Sequence, residues 1–142
     1  MTIATILVGK GHEVISVTAR QSVSEAVGVL AERRVGALPV MDGDEVAGIF
    51  SERDVIHAIH THGAAALDRT VGEVMTAPAI TVGPDEPAIG ALSLMTRRRV
   101  RHLPVIENGC VIGLVSIGDL VKYRIDRIEA DAEAMRTYIQ SA

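Results

Sequence analysis

Disulfide chemistry is out of reach for this 142-residue chain: Cys110 is its one cysteine, so neither an intrachain bridge nor a multi-cysteine metal site can form, and nothing calls for an oxidising compartment. Tryptophan is missing and the aromatics are Phe50, Tyr123 and Tyr138, so the core is aliphatic and a nucleic-acid surface of stacked aromatic platforms is disfavoured. There is no basic excess either. Fourteen Lys plus Arg face 18 Asp plus Glu, a formal charge of -4, which argues against a dedicated DNA or RNA binder while leaving local basic patches open. No run approaches the roughly 20 apolar residues that span a bilayer, and the opening MTIATILVGKGHEV has a short apolar stretch without a cleavage-site pattern. The expectation is a soluble cytoplasmic protein. With 48% apolar residues it can bury a core as one compact domain.

What the chain does have is a repeat. Shifted by 65 residues, Val14 to Ile56 lies over Ala79 to Val121 without a gap, and 13 of the 43 positions are identical, among them Leu38/Leu103, Pro39/Pro104, Val40/Val105, Gly48/Gly113, Ser51/Ser116 and Asp54/Asp119. Each copy reads alike. A short β-rich segment (Val14 to Val17; Ala79 to Val82) precedes a helix whose apolar positions Val23, Ala26, Val27 and Leu30 recur as Ala88, Ala91, Leu92 and Met95 on one face. Two apolar runs follow, Ala37 to Met41 with Val46 to Phe50 and His102 to Ile106 with Val111 to Val115, joined by Asp42-Gly43-Asp44 or Glu107-Asn108-Gly109 as hairpin tips. Ser51 and Ser116 are placed to N-cap a second helix. The unit is β-α-β-β-α, and two copies of about 60 residues should pack together because each alone leaves much apolar surface uncovered. Thr61 to Arg69 reads as the connection between them.

Two such units carrying Leu38-Pro39-Val40 with Gly48-Ile49-Phe50-Ser51-Glu52-Arg53-Asp54, and Leu103-Pro104-Val105 with Gly113-Leu114-Val115-Ser116-Ile117-Gly118-Asp119, resemble a CBS domain pair, or Bateman module. Val74-Met75-Thr76-Ala77-Pro78 is similar to the segment that opens the second repeat in that family. The resemblance implies an α/β (α+β) fold with pseudo-twofold symmetry: repeat 1 over residues 8–63, a linker over 64–73, repeat 2 over 74–126 and a C-terminal helix extension over 127–142. It also implies a regulatory module of the stand-alone bacterial type that needs no cofactor, binds AMP, ADP, ATP, NAD(H) or S-adenosylmethionine in two clefts, and signals to a downstream partner. The ligand-binding positions it points to are Ser51, Arg53, Asp54, Ile80, Thr81, Arg101, His102, Pro104, Ser116 and Asp119.

The residue chemistry supports part of that by itself. A nucleotide needs a carboxylate for ribose hydroxyls and donors for phosphate. Asp54 and Asp119 follow Ser51 and Ser116 by three residues, so hydroxyl, helix-start amides and carboxylate share a rim, and each carboxylate can take two hydroxyls in bidentate fashion; the rival reading is a simple helix cap. Arg101 and His102 have Gly36 and Ala37 as counterparts, and Arg53 has Gly118, so the two clefts should differ, and the pseudo-twofold can bring Arg53, Arg101 and His102 together on a single nucleotide's phosphates. Arg98 and Arg99, matched by Arg33 and Arg34, read as a solvated helix end. His57, His60 and His62 lack the carboxylate or cysteine that would complete a metal shell, and Cys110 lacks a neighbouring base. No nucleophile triad, P-loop or dinucleotide fingerprint appears, so catalysis is not expected. A small enzyme acting on an adenine nucleotide, or a structural or DNA-associated dimer, are the alternatives.

After Asp119 the chain runs to its end without Gly or Pro, and Val121, Ile125, Ile128, Ala132, Met135 and Ile139 form a heptad seam. Either it folds back on its own module or it meets another chain, and a homodimer is expected, with Ile3, Ile6 and Leu7 helping to cover the stripe.

Overall fold

The computed structural model describes residues 1–141. Helix α1 (Ile3–Lys10) is followed by strand β1 (Val17–Thr18), helix α2 (Val23–Arg33), strands β2 (Ala37–Asp42) and β3 (Glu45–Ser51), and helix α3 (Glu52–His62). A 3-10 segment (Gly63–Asp68) and the short helix α4 (Val71–Val74) lead to helix α5 (Ala88–Arg98), strands β4 (His102–Glu107) and β5 (Cys110–Ser116), and the 25-residue helix α6 (Ile117–Ser141). The β2–β3 and β4–β5 hairpins are antiparallel with the same register, Ala37 opposite Ser51 and His102 opposite Ser116, and each shifts by one step at matched positions, Val40/Met41 and Val105/Ile106. Asn108 and Gly109 both adopt positive φ, 52° and 79°, as a two-residue hairpin tip with right-handed strand twist requires.

The opening strands are shorter than the pattern predicts. Only Val17 and Thr18 of the first pair with β2, and the second is reduced to Val82 bridging Val105. These segments run on an edge with one neighbour, so little ladder energy extends them.

Two aliphatic cores form, and each contains a helix from outside its own repeat. Ile3, Ile6 and Leu7 of α1 are buried with Met95, Leu103, Val115 and Leu120 of repeat 2. Val71 of α4, which leads into repeat 2, is buried with Val23, Leu38, Val40 and Phe50 of repeat 1. The repeats therefore exchange their leading helices. The expected linker 64–73 packs into the module, with Ala66 and Val71 fully buried. The N-terminal segment before residue 8 belongs to the body of repeat 2. And α1 does not cover the C-terminal seam, since its apolar face is spent on that core. The seam stays exposed along α6, which also excludes its folding back on the module. The last residue of the expected 127–142 extension, Ala142, lies outside the described residues.

Candidate functional site

Between the repeats lies a cleft of about 550 Å³, within the size range of small-ligand sites. One wall is the end of β3 and the first turn of α3, carrying Ser51, Glu52, Arg53 and Asp54; the opposite wall is Thr76 to Ile80 together with Arg98 to His102 ahead of β4. Of the ten expected positions the cleft gathers six: Ser51, Arg53, Asp54, Ile80, Arg101 and His102. Thr81 is exposed beyond its rim and Pro104 is buried inside β4. Ser116 and Asp119 stand at the pseudo-symmetric position in repeat 2.

Local folding fixes the Asp54 carboxylate. Ser51 N–H and its hydroxyl donate to Asp54 Oδ2 at 2.8 and 3.1 Å, and Asp54 N–H returns a bond to Ser51 Oγ at 3.4 Å, a reciprocal cap that starts α3. Thr76 Oγ1 donates to Asp54 Oδ1 at 2.8 Å. Cap and rim are thus one structure, and three of the roughly four acceptor positions on the carboxylate are used. One remains for a further donor.

The opposite charge is concentrated around it. Arg53, Arg98, Arg99 and Arg101 all line the cleft, and among the described residues none of them forms an ion pair. Arg98 and Arg99, expected as a solvated helix end, are cleft residues as well. Arg53 Nη1 donates to the carbonyl of Arg99 at 3.1 Å, tying the start of α3 to the end of α5, where Arg99 adopts φ 55° as the left-handed helix cap. Such a cluster of planar donors suits phosphate.

His102 lines the cleft and is also within electrostatic reach of Asp119 in repeat 2. It faces Gly36, where an added Cβ would lie 3.3 Å from its Cε1, and it pairs in register with Ser116 on β5. Burial holds its pKa below the ordinary 6.5, helped by the Lys10 ammonium and by Arg101, while Asp119 and Glu52 pull the other way.

Repeat 2 builds its equivalent site differently. Ser116 N–H donates to Asp119 Oδ2 at 2.8 Å and Asp119 N–H to Ser116 Oγ at 3.1 Å, the same cap. But Lys10 of α1 reaches in, its Nζ 2.5 Å from Asp119 Oδ2 and 2.6 Å from the Leu114 carbonyl. Burial alone would raise the Asp119 pKa; the Lys10 and Ser116 hydrogen bonds outweigh it and hold the carboxyl below its ordinary 3.8. Sequence comparison of the repeats gave no role to Lys10, Glu52 or Thr76. The same shift of 65 carries Thr76 onto Gly11, beside Lys10, so extending the comparison upstream of Val14 was the available signal. His57, His60, His62 and Cys110 are exposed and lie outside the cleft. No grouping of three or more metal-ligating side chains occurs among the described residues, and no described helix is long and apolar enough to cross a membrane.

Known proteins give this geometry a context. The family model described as "CBS domain" matches residues 11–61 and 71–126. The mitochondrial CBS domain-containing protein CBSX3 of Arabidopsis thaliana is 34% identical over 148 residues, covering 98% of this chain and 72% of that protein. The crystal structure of the CBS-domain containing protein ATU1752 from Agrobacterium tumefaciens superposes with a TM-score of 0.84 at 39% identity, over 87% of this chain and 92% of that one. The CBS domain pair of MJ0100, in complex with 5'-methylthioadenosine and S-adenosyl-L-methionine, shares the fold at a TM-score of 0.75 and 23% identity, over 89% of this chain and 98% of that one.

Proposed function

The chain belongs to the CBS-domain family as a tandem pair, and from that premise we propose that it is a non-catalytic regulatory module that takes a phosphorylated adenosine ligand, AMP or NAD(H), ADP or ATP, in the cleft between Asp54 and Arg101. The carrying observation is the convergence of Arg53, Arg101 and His102 with Asp54 and Ile80 on one cleft. In this reading Ile80 and Pro78 offer the base an apolar wall, Asp54 accepts from a ribose hydroxyl, and the arginines bind phosphate. That the same fold in MJ0100 holds 5'-methylthioadenosine and S-adenosyl-L-methionine supports a ligand of this size. The site of repeat 2, with Ser116 and Asp119, is secondary because Lys10 already engages Asp119. The module works in the cytoplasm as a homodimer read by a partner protein, without nucleic acid.

Titration calorimetry with AMP and with adenosine tests this reading. AMP is expected to bind more tightly than adenosine, and Arg101→Ala to remove most of that difference. Equal affinity for the two compounds, or no binding of either, would overturn it.

A further inference from the structure

Helix α6 has an anchored start and a free end. Leu120 is its one buried residue among those described, and from Arg124 onward every described side chain is exposed. Along this free stretch the large residues of the seam, Val121, Ile125, Ile128, Met135 and Ile139, are 44% to 65% exposed. A lone helix carrying such a stripe is marginal in water, so its stability has to come from a packed neighbour.

The charges beside the stripe say which neighbour. With Val121, Ile128 and Met135 as heptad d positions and Ile125, Ala132 and Ile139 as a positions, the flanking g positions are Arg124 and Asp131 and the flanking e positions are Glu129 and Arg136. In a parallel pair each g residue meets the e residue five places on in the other helix. Arg124 then meets the partner's Glu129 and Asp131 meets the partner's Arg136, twice each by symmetry, while all six apolar layers are covered. An antiparallel pair of the same overlap sets Glu129 against Glu129, Asp131 against Asp131 and Lys122 against Arg136. Sliding it to pair opposite charges leaves only four apolar layers. Within the chain these groups have only exposed partners, Arg127 to Asp131 at 3.7 Å and Glu133 to Arg136 at 3.3 Å, which compete weakly.

We infer that residues 121–139 form a parallel, in-register two-stranded coiled coil with the same helix of a second copy, which places both modules at one end of a shared stalk. This rests on the self-association proposed above and adds its surface and direction.

Cysteine cross-linking decides it. In a Cys110→Ser background, Val121→Cys and Met135→Cys are each introduced alone, with the off-seam Thr137→Cys as control, and oxidised glutathione supplies the oxidant. Both seam variants are expected to link to themselves and the control is not. In the fully overlapped antiparallel pair two Met135 positions would stand about 15 Å apart along the axis, so a dimer in which Met135→Cys fails to link overturns the inference while leaving self-association intact. A chain that sediments as a monomer at all micromolar concentrations overturns both. Arg124→Glu should weaken the dimer about tenfold, and Arg124→Glu with Glu129→Arg should restore it; no rescue counts against the register. AMP titration of the same variants reads the cleft separately.

Discussion

The two repeats use one motif to opposite effect. In repeat 1 the Ser-x-x-Asp cap takes one neutral hydroxyl, Thr76 Oγ1, from a segment hydrogen-bonded to Ile49 in both directions at 2.9 Å, and the four arginines of the cleft form no ion pair among the described residues. In repeat 2 the same cap faces a side chain, Lys10, that satisfies it. Duplication copied the scaffold and the helix start; what differs is the segment laid across each hairpin. A repeated motif thus marks where a site can be built, and the crossing segment decides whether it stays available.

The comparison breaks most visibly at the two matched glycines. A Cβ at Gly48 would lie 2.6 Å from the Thr76 carbonyl, which the sheet holds in place, so Gly48→Ala should cost about 3 kcal/mol. At Gly113 the obstacle is the end of the Leu7 side chain, also 2.6 Å away, which can turn, and Gly113→Ala should cost about 1 kcal/mol. Urea denaturation of both variants measures the gap; equal costs would mean that α1 is as rigid a cover as the Thr76 segment. Next in size is the ligand. Asp54→Ala should weaken AMP at least tenfold by removing a charged acceptor, whereas Asp119→Ala should change it less than about twofold. Similar losses by calorimetry would show that both clefts bind.

A smaller effect separates the clefts by pH. His102 has its pKa lowered by burial, so the unfolded chain takes up the proton first as pH falls. Its contribution to stability is complete above 6.5 and is lost as pH falls from there toward the folded value. His102→Gln should flatten the denaturation midpoint across that interval, and an unchanged slope would remove His102 as the cause. Smallest of all is the Lys10 contact. Asp119 is stabilising above its ordinary 3.8 and loses that contribution below it, at the folded value, so Lys10→Met should narrow this acid limb. Because Lys10 is 38% exposed, the loss at neutral pH should stay under about 1 kcal/mol by thermal or urea unfolding.

How far the sequence could be read depends on which forces act locally. The hairpins, both capping serines and the helix faces were legible because each is set by residues within a few positions of one another. The meeting of Arg53 with Arg101 and His102 was legible from pseudo-symmetry, since residues that differ between otherwise matched repeats stand out. The partners of α1 and α4 were not. Ile3, Ile6 and Leu7 read simply as apolar, and nothing within the helix says that its core lies some 80 to 110 residues downstream in repeat 2. Nor did Ser51 and Asp54 reveal that Thr76 would occupy a third acceptor position, because that contact spans 22 residues and belongs to tertiary packing.

The exchanged helices also set an order of events during synthesis. The core of repeat 1 draws on Ile15 to Met75 and is complete before α5 is made. The core of repeat 2 draws on Ile3 and on Tyr123, so α1 waits for β5 and the start of α6 before it can dock. Closing so long a loop is slow compared with local pairing, and the apolar face of α1 stays unprotected meanwhile. The apolar face of α1 is therefore the surface most in need of a chaperone until repeat 2 is complete.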